Sequence, residues 1–208
     1  MRLNDSVSHL VAVNEDWQPF LSNPRMVRAG NEITWSGRKV LMLSSPVTLD
    51  DLLSLEIERQ YSFQVAKDGS IFQLYYLFSS DGVTVESASL SFYKVPDEQD
   101  TSVPWLRIDF DPLAERGPTH ASCHLHSSLY PLTRIPIAGV PGPARFVDLV
   151  IAWFYPDEHA ARRGVDGDGE LHRTAGLLRV VSESLACGSL AKSISSCTHL
   201  RLPGDYEY

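Results

Sequence analysis

The sequence predicts an α+β domain in which an antiparallel sheet of about five strands carries helices on one face. Two observations lead there. Between residues 61 and 95, the aromatic and β-branched runs YSFQVA, IFQLYYLF and VTVESASLSFYKV are joined by Lys-Asp-Gly-Ser and Ser-Ser-Asp-Gly turns, the pattern of an antiparallel meander. Further along, PARFVDLVIAWF (143–154) sets Phe146, Leu149, Val150 and Trp153 on one helical stripe, an apolar face that needs a sheet to cover.

The elements follow in chain order. Val7, Leu10, Val11, Val13, Trp17 and Leu21 have roughly helical spacing and predict a helix over 5–21 that ends at Ser22-Asn23-Pro24. EITW (32–35) and KVLML (39–43), split by Ser36-Gly37-Arg38, predict a short hairpin. Thr48 followed by Asp50 and Asp51 has the form of a helix N-cap with acids in the first turn, so a helix should run to about Glu58. In the third strand of the meander Ala88, Leu90 and Phe92 share one face, and Ser87, Ser89, Ser91 and Tyr93 share the other. WLRIDFD (105–111) repeats the alternation, with Leu106, Ile108 and Phe110 opposed to Trp105, Arg107, Asp109 and Asp111. Pro143, after Gly142, suits the first position of the striped helix, which should stop at Pro156. RRGVDGDGE (162–170) reads as an exposed loop, and Leu171, Leu178, Val181 and Leu185 predict a last amphipathic helix over 170–186.

Composition sets the outer limits. The chain has 208 residues, 43% of them hydrophobic and 10% aromatic, with no repeat or low-complexity tract, which suits one globular domain over 1–208: N-terminal helices and hairpin (1–58), a core (60–156), and a loop with a C-terminal helix (157–208). No apolar run approaches the roughly 18 residues of a membrane span, and Glu15 and Asp16 interrupt any leader-like stretch, so no membrane association and a cytoplasmic location are expected. Cys123, Cys187 and Cys197 lack CxxC spacing, which argues against a disulfide framework or thiolate zinc site. A net charge of −8 opposes non-specific binding of nucleic acid by the whole surface. Yet Arg116 to Val147 holds no Asp or Glu, where about four are expected, and does hold Arg116, Arg134, Arg145 and three of the seven histidines. Such a segment could offer a local anion site.

Several stretches, in order, resemble an uncharacterised bacterial family, domain of unknown function 2290. They are AKDGSIFQLYYLF (66–78), ASLSFY (88–93), WLRIDFDP (105–112), CHLH (123–126), TRIPI (133–137) and PARFVDLVIAWFYP (143–156), so the resemblance covers roughly residues 60–156. Where this chain has Cys123-His124-Leu125-His126-Ser127-Ser128, the family pattern implies Ser-His-Leu-His-Ile-Gly. The departure keeps both histidines and changes the backbone that follows them. The resemblance implies no agreed activity, so function has to come from the residues.

His124 and His126 are two apart, and on an extended segment they project from one face while Leu125 packs on the other. If this strand pairs beside WLRIDFD, Arg107, Asp109 and Asp111 share that face, and Arg134 reaches it from the next turn. Three readings stand open. In the first, the histidines bond to backbone in a crowded loop and Arg107 pairs with an aspartate across the sheet. In the second, His124, His126, Asp109 and Asp111 hold a metal such as zinc, manganese or iron. In the third, His124 and His126 are the acid and base of a metal-free phosphodiester site, Arg134 clamps the phosphate, and Arg107 and Arg145 bind substrate. The acid-free, arginine-bearing segment favours the third, since imidazoles with pKa near 6.5 share the two protonation states that RNA transesterification needs. The expectation is therefore an RNA-directed nuclease or RNA-binding effector of a bacterial toxin or defence module, without a cofactor. The alternatives are a non-catalytic interaction protein and a His/Asp metal-dependent hydrolase. His120 is expected in a loop.

Other signals exclude more than they suggest. There is no P-loop, GxSxG or Rossmann glycine pattern. Asp166-Gly-Asp168-Gly-Glu170 lacks the later bidentate acid of a calcium loop. Cys123, adjacent to His124 on a strand, points to the opposite face and is a poor candidate nucleophile.

Overall fold

The computed structural model describes residues 3–22, 27–30, 32–34, 47–58, 63–97, 102–112, 122–137 and 139–163. KVLML (39–43), residues 164–170 of the loop expected over 162–170, the helix expected over 170–186, Arg116, His120, Cys187 and Cys197 lie outside these residues, while Arg162 and Arg163, expected in that loop, are helical.

Four helices and nine strands are present among the described residues: α1 (Leu3–Trp17), β1 (Leu21–Ser22), β2 (Val27–Ala29), β3 (Glu32–Thr34), α2 (Leu49–Ile57), β4 (Phe63–Val65), β5 (Ile71–Phe78), β6 (Val85–Tyr93), β7 (Trp105–Phe110), β8 (Cys123–Ser127), β9 (Tyr130–Pro136), α3 (Pro143–Phe154) and α4 (Pro156–Arg163). The strands form one sheet in the order β1-β4-β5-β6-β7-β8-β9, with β3 branching from β5 and β2 from β3, and every pairing is antiparallel. The α+β class holds, with nine strands in place of about five. The extra members are short strands near the N-terminus and β9, which no long period-two pattern announces. Glu32–Thr34 is a strand as expected, but Val27–Ala29 and β5 take its two edges. Gly30, at φ 64, makes the turn that joins β2 to β3.

Local rules set the element ends. At α2, Thr48 Oγ1 accepts from Asp51 N–H at 3.3 Å and Asp51 Oδ2 accepts from Thr48 N–H at 2.8 Å, a reciprocal capping box. At α3, Pro143 fills the first turn, where its missing N–H costs nothing. Tyr155 leaves helical geometry (φ −138, ψ 60) because the ring of Pro156 crowds the residue before it, and Pro156 then opens α4. The Tyr155 hydroxyl donates to Asp68 Oδ2 at 2.7 Å, fastening this corner to the β4–β5 turn.

The two faces of the sheet are covered differently. Phe72, Leu74, Leu90, Phe92, Leu106, Ile108 and Leu125 form the main core with Phe146, Leu149, Val150 and Ile151 of α3, and with Val13 and Trp17 of α1. Phe110 and Trp153 are partly buried against it. The alternate residues Ile71, Tyr93 and Trp105 bury on the other face with Leu52 and Leu55 of α2 and with Val47 and Val103. Helices α1 and α3 thus share one face as expected, whereas α2, contrary to the expectation of helices on one face, closes one end of the opposite face, because Leu52 and Leu55 bury against Ile71, Tyr93 and Trp105. Beyond that apolar cap, the same face turns polar.

A polar row on the sheet and a candidate metal centre

The polar row is built by register. β7 is flanked by β6 and β8, with Ser91 opposite Arg107 opposite His126, and Ser89 opposite Asp109 opposite His124. Leu125 and Cys123 lie in the main core, so strand alternation turns His124 and His126 to the other face, beside Arg107 and Asp109. Both imidazoles are buried, at 6% and 7% exposure, and their rings meet edge to face with centroids 4.7 Å apart.

Asp109 is the hub of the row. Its Oδ2 accepts from Arg107 Nε at 2.7 Å and lies 3.8 Å from His126 Nε2, while its Oδ1 accepts from Ser89 Oγ at 2.9 Å. The pairing of Arg107 with an aspartate expected in the first reading therefore exists, formed two residues apart along one strand instead of across the sheet. One ligand atom from each of Asp109, His124 and His126 lies within 4.8 Å of the others. Burial holds the His126 pKa well below the ordinary value, at about 4, with Arg107, His124 and Arg134 pushing the same way and Asp109 opposing them. At neutral pH His126 is thus an uncharged imidazole, free to ligate a cation but a weak base and no ready acid.

Two histidines and one carboxylate converging from adjacent strands form a donor set suited to zinc, manganese or ferrous iron. Ser89 holds the carboxylate by Oδ1, as supporting hydrogen bonds do around metal-bound acids, whereas Arg107 occupies Oδ2, the oxygen that lies toward His126. The residues singled out from sequence divide accordingly. His124, His126, Asp109 and Arg107 come together, and Arg134, exposed on β9, is near enough to depress the His126 pKa. Asp111 is exposed just past the end of β7 and stands outside the three-residue cluster. Arg145 is exposed on α3, which packs on the opposite face of the sheet, so it is not brought to the histidines.

Ser89 and Ser91 were not marked as site residues by sequence reasoning. Their signal is the serine alternation of SASLSFY, which becomes informative once β6 is known to lie beside β7. Ser91 is fully buried, and its Oγ makes no hydrogen bond. Cys123 is held on the core side, where burial raises its thiol pKa to about 12, so it is no nucleophile. Among the described residues no helix is long and apolar enough to cross a membrane.

No curated protein and no solved structure matches the chain. Residues 97–187 match the model of the family described as uncharacterized conserved protein (DUF2290), the family that WLRIDFDP, CHLH, TRIPI and PARFVDLVIAWFYP resemble; AKDGSIFQLYYLF and ASLSFY, which carry the same resemblance, precede the matched residues.

Proposed function

We propose that Asp109, His124 and His126 bind a divalent transition metal, and that the protein is a metal-dependent hydrolase of a phosphate ester. The observation that carries this reading is the convergence of the three ligand atoms within 4.8 Å, on a face where one imidazole is kept neutral by burial. Asp109, His124 and His126 would hold the metal, and the chemistry it would supply is acidification of a water toward a pKa of about 7, so that phosphate-ester hydrolysis would exchange the P–O bond to the leaving oxygen for one to water oxygen, the leaving oxygen taking a proton from solvent. Arg107 and Arg134 supply positive charge for the phosphate oxygens.

A metal-free RNA nuclease is the second reading, favoured by the two arginines that act on His126. It needs one protonated and one neutral imidazole at working pH, and a group with pKa about 4 leaves the acid role to His124 alone. Burial of both rings also favours a small ion over direct contact with a polymer.

The test is zinc titration of the protein and of His124→Ala and His126→Ala, together with cleavage of bis(p-nitrophenyl) phosphate and of RNA, with and without chelator. One zinc per chain, lost in both variants, and chelator-sensitive cleavage are expected. Cleavage of RNA that survives chelation and stops at a 2′-deoxy position would promote the metal-free reading. Absence of zinc binding would refute the metal centre.

A further inference from the structure

We infer that Arg107 and the metal compete for Asp109, so that metal binding turns the Arg107 guanidinium toward Ser91 and creates a phosphate subsite; this rests on the metal reading above. Asp109 Oδ2 is the oxygen that receives Arg107 Nε at 2.7 Å, and it is also the one recorded 3.8 Å from His126 Nε2. A divalent cation bridging Asp109 and His126 would sit within a few ångströms of a guanidinium held on the same oxygen. Two cations cannot both keep that oxygen in surroundings largely shielded from water without strong repulsion.

The register supplies a second position for Arg107. His126 faces it on one side and Ser91 on the other, both across antiparallel pairs. Ser91 is fully buried on the same face and its Oγ makes no hydrogen bond, although buried hydroxyls nearly always find a partner. A guanidinium displaced from Asp109 reaches an acceptor in Ser91 Oγ. With Ser91 Oγ accepting from one N–H of the guanidinium, the remaining donors of the Arg107 fork, whose side chain is 18% exposed, are left for a phosphate oxygen next to a metal that needs an anion to balance its charge. Ser89 continues to hold Asp109 by its other oxygen, so the carboxylate keeps its aim while Arg107 moves.

The consequence is ordered, reciprocal binding. Metal strengthens phosphate binding and phosphate strengthens metal binding by the same factor, and couplings of this kind run to about 5–150-fold. Removing Arg107 should do two opposite things: strengthen zinc binding, because a competing cation is gone, and abolish the coupling, because the clamp is gone. A gain in zinc affinity is not an outcome that general damage to the fold produces.

The experiment measures zinc affinity by competition with a chromophoric chelator, and phenyl phosphate affinity by calorimetry, each with and without the other, in the wild type, Arg107→Gln and Ser91→Ala. Expected are tighter zinc binding in Arg107→Gln, at least about fivefold coupling in the wild type, and coupling reduced in Ser91→Ala and lost in Arg107→Gln. In the wild type, nitrogen NMR of the Arg107 Nε–H group gives a readout that needs no variant: zinc should shift the signal and phenyl phosphate should shift it again. Zinc affinity unchanged or weakened in Arg107→Gln, coupling retained there, or an Arg107 signal indifferent to zinc would overturn the inference and leave the metal centre standing. No zinc binding to the wild type would instead bring down the metal centre, and the inference with it.

Discussion

Asp109→Ala is the most informative perturbation of the polar row, because it leaves a cation behind. The substitution removes the acceptor of the 2.7 Å bond from Arg107 and of the 2.9 Å bond from Ser89. The Arg107 and Asp109 side chains are 18% and 14% exposed, so the orphaned guanidinium stays mostly out of water. Losing one partner of a fully buried pair costs about 3–5 kcal/mol. The remaining exposure lets some water reach Arg107, which lowers the expected cost to about 2–4 kcal/mol. Replacing both members, as Arg107→Met with Asp109→Leu, removes the stranded charge, so the double variant should be more stable than Asp109→Ala alone. The assay is urea unfolding in chelator, followed by circular dichroism and tryptophan fluorescence. If Asp109→Ala lies within about 0.5 kcal/mol of the wild type, or the effects of the two substitutions simply add, the pair does not sit in the low-dielectric setting described here.

Three further outcomes are expected. Phe146→Ala should cost about 3–5 kcal/mol, since the ring is fully buried and meets Phe72 edge to face, and half-buried Trp153→Ala should cost less; the order is read from urea midpoints. His126 has a folded-state pKa of about 4 against 6.5 for the ordinary group, so between those values the unfolded chain binds more protons. Stability should therefore fall as pH drops from about 6.5 toward 4, by at most about 1.4 kcal/mol per pH unit, and His126→Gln should flatten that part of the profile. Cys123, buried with its thiol pKa raised to about 12, should resist iodoacetamide at pH 8 until the protein unfolds, as peptide mapping of the labelled chain would reveal.

Much of the scaffold was legible because its signals are local. The Asp-Gly turns and the period-two runs marked β5, β6 and β7 to within two residues, and Gly142-Pro143 and Pro156 bracketed α3. Thr48 and Asp51 announced the cap of α2, although nothing in α2 itself says which face of the sheet it will close. β1, β2 and β9 have no such signal, since strands of mixed composition at the sheet margins are defined by the neighbours they pair with; Leu21, expected as the end of the first helix, instead pairs with Val65 in β1, and α1 stops at Trp17.

The site divides along the same line. Alternation alone determined that His124 and His126 share a side, that Leu125 opposes them, and that Cys123 turns to the core, because the side-chain period of a strand is a property of its own backbone. Which acid meets them was a matter of tertiary structure. A slip of two residues between β7 and β8 would set Asp111 opposite His124 and keep every apolar residue on its proper face, so the hydrophobic pattern cannot tell the two registers apart. The observed pairing selects Asp109 and leaves Asp111 exposed. Arg145 belongs to the same acid-free segment as the histidines, but α3 packs on the opposite face, and closeness in sequence gives no sign of that separation. The sequence by itself determined which side chains face together within a strand; the pairing of strands and the docking of helices, which depend on packing across the whole domain, decided which of them meet.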